Sequence, residues 1–452
     1  MTNSNIKPIQ TTLKYRWVMW GAMVLSYGLV YFHSFSMGVV KSSLISEFNL
    51  SEQVFVSIGN VYFYLYLLMQ IPTGILVDTL GARLTASLGT FTAAVGIVIF
   101  SLGQSLPYLY IGRSLVGLGT AVIFVSIIKV QSNWFRDSEF GTITGLTCFI
   151  GVMGGAVAQT PLALMVESFG WRLSFQLIGA LSVIIAALIY FVVRNAPQEL
   201  GMEALTETSQ TSKPESAQDI MRGLVKVFLN PRTWPVFLMY AAFYGSYVII
   251  TGYYGTAFIM DVYGKTMVEA SAYLIPAIVG AAVGSVFVGA WSDKIRSRKI
   301  PLLVVGGLYV LTWMVLVFVG SGAPAISLLT PIMFMIGFAS CAYVVSWPAV
   351  KEVNDPQYVG VSVAVANIGG FVGPIVLPPI AALSLSKSLG VIEPAKAYQS
   401  AFMWILAAVV IGFILSFFVK ETNCLNIYEP KNKSVLDQKS VTGHKEVTSG
   451  QG

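Results

Sequence analysis

The 452-residue chain is short of charge: Asp, Glu, Lys and Arg make up 11% of it, against 55% hydrophobic residues. A water-soluble surface needs about a quarter of its residues charged, so an ordinary soluble globular fold is excluded. Histidine is scarcer still, with His33 and His444 alone, and the three cysteines, Cys148, Cys341 and Cys424, form no CxxC pair. Such poverty argues against a disulfide framework and against a zinc site, and neither a metal nor any other cofactor is expected. Also lacking is a small-residue cleavage site after the first apolar run, so MTNSNIKPIQTTLKYRW leads into a first span that is expected to be retained.

What the chain has instead is apolar runs of roughly 18 to 25 residues, enough to cross about 30 Å of hydrocarbon at 1.5 Å per residue. Twelve are read, at 17–40, 53–77, 83–104, 106–130, 139–165, 172–193, 233–260, 267–291, 299–320, 323–350, 357–385 and 397–419. The predicted fold class is an all-α membrane protein with twelve transmembrane helices in two pseudo-symmetric six-helix bundles. An even number of spans puts both termini on one side. If that side is the cytoplasm, 21 of the 27 Lys and Arg residues are cytoplasmic, with Lys41, Arg172, Lys265, Lys387 and Lys396 outside and Arg113 within a span. The formal charge of +6 is therefore read as membrane topology, and no nucleic-acid partner is expected. The expected divisions are an N-terminal tail at 1–16, bundles at 17–193 and 233–419 joined by a cytoplasmic linker at 194–232, and a tail at 420–452 expected to be disordered.

An internal repeat connects the halves. At a constant offset of 218, Asp137, Phe140, Ile150, Gly151, Gly155 and Pro161 correspond to Asp355, Tyr358, Ile368, Gly369, Gly373 and Pro379, and at an offset of 215 Gly74 and Asp78 correspond to Gly289 and Asp293. Two parallel repeats of six helices each are a recurring transporter plan. The matched connections read GILVDTLGARL, with Gly74, Asp78, Gly81 and Arg83, and GAWSDKIRSRK, with Gly289, Asp293 and Arg296. Glycine allows a tight turn, and a carboxylate at the membrane border accepts charge-assisted hydrogen bonds, which together can latch one conformation. Either copy alone reads equally well as a loop anchor; the pair favours the latch.

The GxxxDxxGxR pattern after the second helix, with its weaker copy after the eighth, resembles the signature of the major facilitator superfamily. Arg113 and Gly117 in RSLVG match the family's RxxxG element, and FGWR at 169–172 precedes the sixth helix. The resemblance implies a central cavity between the halves, opened alternately to each side, with Asp78 and Asp293 in the gating contacts. Within the family the chain is most similar to the sugar-phosphate permease and organic-anion symporter branches, by NWF at 133–135 and VKET at 419–422. The arginines that hold phosphate in organophosphate exchangers have no counterpart in LVYFHSF or MYAAFYGSY, and Thr120 stands seven residues after Arg113 where many anion symporters carry an acid nearby. The fifth helix departs from the antiporter element, with Gly151, Gly154 and Gly155 but no proline before Pro161.

Candidate site residues follow from polarity inside the spans. Arg113 lies about 10 Å along the fourth helix, where a buried cation faces a cavity or a partner unless it snorkels to the outer interface. His33 is a candidate proton carrier, although a lone histidine is more often simply packed; Tyr31, two positions away, points elsewhere, so one of the two is structural. Polar aromatics recur at helical spacing as Tyr27 and Tyr31; Tyr62, Tyr66 and Gln70; Tyr240, Tyr244, Tyr247 and Thr251; and Tyr343 and Trp347, with Asn367 on the eleventh helix. Their hydroxyls need partners that an aqueous cavity supplies, whereas Trp17, Trp20, Tyr108 and Tyr110 near helix ends read as interfacial belts. Helix interiors hold no acid away from their ends, so a small anionic or neutral polar solute is favoured over a cation. The expected function is alternating-access transport by a monomer in the cell membrane, coupled to a proton or other ion, in contact with membrane lipid. The alternative is a receptor on the same scaffold that senses the solute without flux. Lacking a clustered acid–base or metal-ligand constellation, the chain is not expected to be an enzyme.

Overall fold

The computed structural model describes residues 9–203 and 217–428. Among these, ten stretches are long and apolar enough to cross a membrane. One of them, Ile143–Val192, contains two spans, because the chain turns at Gly170 (φ 75°, ψ 160°). A further span escapes a length criterion because Met69 divides it into Glu52–Leu68 and Gln70–Leu80. Twelve spans result, as expected.

In chain order these are α1 (Ile9–Phe48), α2 (the two pieces about Met69), α3 (Ala82–Leu102), α4 (Leu106–Ala121 and Ile123–Trp134), α5 (Asp137–Val157, continued from Thr160 to the turn at Gly170) and α6 (the remainder, ending at Val192). The second half comprises α7 (Trp234–Val248, Ile249–Tyr254 and Gly255–Tyr263), α8 (Met267–Ala272 and Ile275–Lys294), α9 (Lys299–Phe318), α10 (Ile326–Ser340, Cys341–Val345 and Ser346–Val353), α11 (Val359–Ser388) and α12 (Pro394–Phe418). Pro107, Pro235, Pro276 and Pro394 stand in first turns, where a missing N–H breaks no helical bond.

The helix α1 is far longer than its apolar run. Its polar ends stay helical because protein groups receive them: Arg16 donates two hydrogen bonds to Glu139, at 2.6 and 3.1 Å, and Lys41 pairs with Glu52 at 3.0 Å. At the tryptophans the structure divides the expected belt. Trp17 and Tyr108 are exposed, but Trp20 is buried and donates to Thr147 at 2.8 Å, and Tyr110 bonds Ser57.

The two halves are built alike. In the first, α5 crosses α1 at Gly154, where a Cβ would come within 2.2 Å of the Gly28 carbonyl oxygen; in the second, α11 crosses α7 at Gly373, where a Cβ would lie 1.9 Å from the Ala241 carbonyl oxygen. Such contacts let backbones approach where lipid offers no hydrophobic drive to association.

With an even number of spans, both chain ends fall on one face, the terminal side; the opposite face is the far side. The halves meet along the far part of the molecule. Gln53 donates to Ser386, Asn60 to the Ile375 carbonyl, Gln159 to the Thr251 carbonyl, Tyr253 to Asn60 and Ser271 to Thr160, all across the seam. Toward the terminal side a cleft of about 670 Å³ lies between α5 and α8, its lining including Phe149, Val286, Trp291 and Lys294.

Between the halves, the helix Ala217–Leu229 rests on the start of α11, with the Lys226 ammonium 4.8 Å from the Tyr358 ring. The tail is not uniform from Lys420 onward. Asn426 donates to the Lys351 and Asn354 carbonyls, and the Ile427 N–H to the Glu352 carbonyl, so this segment is bonded to the end of α10 through Tyr428. The rest of the expected tail, 429–452, residues 1–8 of the N-terminal tail and the linker stretch 204–216 lie outside the described residues.

Candidate functional site

Aromatic side chains converge where the halves face each other. From α1, the Tyr27 and Tyr31 rings touch at 5.4 Å and Tyr31 meets Phe35 at 6.0 Å; Phe35 then crosses the seam to Tyr247 of α7, at 5.9 Å. The chain of rings continues from Tyr247 to Tyr244 at 6.2 Å and from Tyr244 to Tyr343 of α10 at 5.3 Å. Tyr240 stacks on Tyr343 at 4.8 Å, with planes 6° apart. A second bridge joins Tyr66 of α2 to Phe371 of α11, stacked at 4.4 Å. Trp347 donates through Nε1 to Asn367 Oδ1 at 2.7 Å, which fixes both residues on the α10–α11 side. Gln70 lies half-buried just past the break in α2. The expected residues Tyr31, Tyr66, Tyr244, Tyr247, Tyr343, Trp347 and Asn367 thus belong to one neighbourhood. Phe371, which periodicity did not single out, completes it.

The structure separates Tyr31 from His33. Tyr31 is half-buried at the seam, whereas His33 is fully buried inside the first bundle, where neither ring nitrogen has a hydrogen-bond partner. Arg113 lies beside it, 1% exposed: Nη1 donates to the His33 carbonyl at 3.1 Å, the guanidinium sits 4.9 Å from the centre of the Tyr62 ring, and Nε has no partner. It neither snorkels nor lines the seam in this conformation; a cation–π contact and a carbonyl hold it in the bundle. Tyr62 is equally internal, donating to the Val30 carbonyl and accepting from Ser34.

Beyond the aromatic rings, on the far side, lies a polar seal that apolar runs did not reveal. Lys41 and Glu52 form a nearly buried ion pair, with side chains 5% and 10% exposed. The Lys41 ammonium also sits 4.4 Å from the ring of Tyr254, on the other half. Nearby, Tyr398 of α12 donates to Asp261 at 2.8 Å. The π-helical turn Ile249–Tyr254 carries Gly252, Tyr253 and Tyr254 against α1 and α2, a distortion that often accompanies functional sites. Lys41 and Glu52 lie one residue outside their assigned apolar runs, and Asn60 is a lone amide in VSIGNVYFY, the only advance signal of this seal.

At the terminal ends the two signature segments differ. Gly81 adopts φ 81°, which favours glycine, and the Asn195 side chain accepts from the Arg83 N–H at 2.9 Å, while the Arg83 guanidinium covers the Tyr190 ring at 4.9 Å. Gly74 has open space around it, and the side chain of Asp78 lies outside the described residues. In the second copy, Asp293 accepts from Arg298 at 2.7 Å and Arg298 also donates to Glu352, at 2.7 Å through Nη2. The contact expected of Arg296 is made by Arg298; Arg296 is exposed in a left-handed turn at φ 50°. Gly289 packs loosely near Val344. Glu421 closes the arrangement. Burial alone would raise its pKa, but hydrogen bonds from the Ser297 hydroxyl and from the N–H groups of Arg298, Asn423 and Lys299 bring it down to about 2.

The FGWR segment has a structural task. Trp171 donates to Glu47 at 2.7 Å, and Arg172 joins Glu47 to the Ser101 and Gly103 carbonyls, tying the ends of α1, α3 and α6. Among the described residues no three His, Cys, Asp or Glu side chains are grouped to hold a metal.

Known proteins share this architecture and, more weakly, this sequence. The chain is 27% identical to the hexuronate transporter of Bacillus subtilis (strain 168) over 328 residues, 68% of this chain and 74% of that protein. An uncharacterized transporter of the same bacterium, YybO, is 24% identical over 59% of this chain and 63% of its own length. The membrane sensor protein UhpC of Escherichia coli (strain K12) is 22% identical over 60% of this chain and 63% of that protein. In three dimensions, a bacterial homolog of the human lysosomal transporter Spinster, inward-facing and unoccupied, matches with a TM-score of 0.68 at 18% identity, covering 90% of this chain and 96% of that one. The model of the major facilitator superfamily spans residues 23–378, and with the twelve helices in two like halves this establishes that the chain is a member of that superfamily, a multi-pass membrane transporter family and not one of enzymes.

Proposed function

We propose that the protein is a secondary active transporter that moves a small polar organic anion through the aromatic-lined seam by alternating access. The observation that carries the reading is the asymmetry of the contact between the halves: hydrogen bonds and the Lys41–Tyr254 contact close the far side, while a cleft lies between α5 and α8 toward the terminal side. Reversing that asymmetry would expose the same rings to the opposite face, as alternating access requires. Anion preference rests on Arg113 behind Tyr62 and on the acid-poor span interiors, and is supported by the hexuronate transporter among the relatives. Arg113 contributes positive potential here, and in the far-open conformation the guanidinium turns from the His33 carbonyl to the solute. Coupling to a proton or other ion runs through His33, beside it. Asp78 and Asp293 form the terminal-side gate of that cycle. Charge distribution orients both termini to the cytoplasm of the cell membrane, and the monomer, in contact with lipid, is the working unit.

Counterflow of a panel of labelled organic carboxylates, sugar acids and aromatic acids among them, into proteoliposomes tests this, with uptake of at least one of them required. Uptake that saturates and is lost in Arg113→Ala, with the variant still monodisperse, is the expected result. The likeness to UhpC supports one rival, a sensor that binds the solute without carrying it. Saturable binding with no flux would establish that rival in place of transport.

A further inference from the structure

The wall of the seam has a chemical character that narrows the solute. The half-buried faces are rings: Tyr31, Phe124, Tyr244, Tyr343, Trp347 and Phe371, drawn from five helices of both halves. Ring contacts support them from behind, with Tyr27 stacked on Phe124 at 5.2 Å and Tyr240 on Tyr343 at 4.8 Å. The guanidinium of Arg113 lies one ring deeper, against Tyr62. Two amides stand beside the rings, while Asn60 and Gln159 are bonded across the seam on the far side. Asn367 already spends its carbonyl on Trp347, leaving its N–H groups, and Gln70 lies one turn beyond Tyr66.

A polyhydroxylated acid buries many hydroxyls, and each needs a partner or loses its hydration uncompensated. This wall supplies phenols and two amides, too few for such a solute, but it offers large apolar faces that stack on a flat ring. The geometry points to a planar aromatic carboxylate as the solute: a ring held between the Tyr31 side and the Tyr244–Tyr343 side, its carboxylate directed toward the phenols, the Asn367 amide and the field of Arg113. This inference rests on the reading of the seam as an organic-anion site and specifies the class of anion.

The test is binding to the purified full-length protein, followed by quenching of tryptophan fluorescence and by isothermal calorimetry. The probes are benzoate, 4-hydroxybenzoate, the uncharged benzamide, cyclohexanecarboxylate and glucuronate. Benzoate or its hydroxy derivative is expected to bind at least tenfold more tightly than glucuronate, with benzamide and cyclohexanecarboxylate each weaker than benzoate. Tyr343→Leu should lose at least tenfold in aromatic-carboxylate affinity, while Tyr343→Phe, which keeps the ring, stays within about threefold, separating lost stacking from a misfolded site. Glucuronate binding as tightly as benzoate, or an unchanged affinity in Tyr343→Leu, overturns the aromatic assignment while leaving the anion reading intact. If no anion binds and benzamide does, the anion reading fails with it. Binding of no probe at all overturns both.

Discussion

Lys41 and Glu52, eleven residues apart in sequence and 3.0 Å apart in space, form an ion pair that is nearly dry because Tyr254 of the opposite half covers the ammonium. Both charges belong to the first half, so opening the far side would leave the pair together but return it to water. The cost of desolvating the pair is therefore tied to closure, and so is the penalty for breaking it.

Removing one partner tests that link. Glu52→Gln leaves the Lys41 ammonium enclosed without its anion, and breaking a buried pair costs on the order of 3 kcal/mol. The far-closed form should lose that much relative to the far-open one. Glu52→Leu with Lys41→Met should recover most of the loss, because neither charge then needs water. Thermal unfolding of both variants beside wild type gives the stabilities, and maleimide labelling of a cysteine placed at Ser271, buried against Thr160 of the other half, reports far-side opening. Equal labelling in Glu52→Gln and wild type would rule out any link between the pair and closure.

Matched glycines make a second prediction. Gly154 against Gly28 and Gly373 against Ala241 hold the α1–α5 and α7–α11 crossings, and in both a Cβ would meet backbone that has no freedom to swing aside. Gly154→Val and Gly373→Val should each destabilise the protein by about 1–3 kcal/mol or more, through forced separation of the helices. Gly145→Val, on α5 with open space around it, should be nearly neutral. A destabilised Gly145→Val with unaffected Gly154→Val, seen in melting curves, would contradict the crossing geometry.

The twelve spans and the repeat were legible because hydropathy and a constant offset record burial in lipid and ancestry of the halves directly. Periodicity was less informative about neighbours. Tyr62 and Tyr66 share one stripe of α2, yet Tyr62 is inside the bundle against Arg113 while Tyr66 stacks on the other half. A helical stripe specifies a face, and which helix meets that face depends on tilt and on contacts distant in sequence. Span ends were hardest, since Lys41 and Glu52 lower hydropathy without ending the helix or leaving the protein. Arg296 and Arg298 illustrate the same limit: two residues apart in one basic loop, only the backbone turn at Arg296 decides that Arg298 reaches Asp293 and Glu352.

The C-terminal segment carries a pH signature. Glu421, outside the spans, has its pKa held at about 2 by donors that outweigh its burial, below the ordinary value of about 4.3. A lowered carboxylate pKa contributes stability that is fully present above the unfolded value and is lost as pH falls through the folded one. Glu421→Gln should therefore be less stable than wild type at pH 7, and the difference should shrink between about pH 4 and pH 2. A difference in melting temperature that stays constant over that range would show that the carboxylate charge does not hold the segment to α9.

His33 offers the sharpest test of coupling. Both ring nitrogens are buried without partners, and the Arg113 guanidinium is held at the His33 carbonyl, so nothing in the far-closed conformation delivers a proton to the ring. Protonation then requires a conformation in which Arg113 has moved or water has entered, which ties the proton to the transport step. His33→Leu removes two unsatisfied polar atoms and should leave the melting temperature unchanged or raise it. Uptake driven by an imposed pH gradient should fall at least tenfold in that variant, while exchange at equal pH persists, because exchange needs no net proton movement. Intact gradient-driven uptake in a stable His33→Leu protein would remove His33 from the coupling path and place the proton elsewhere, with Glu52, its side chain 10% exposed beside Lys41, the next group to test.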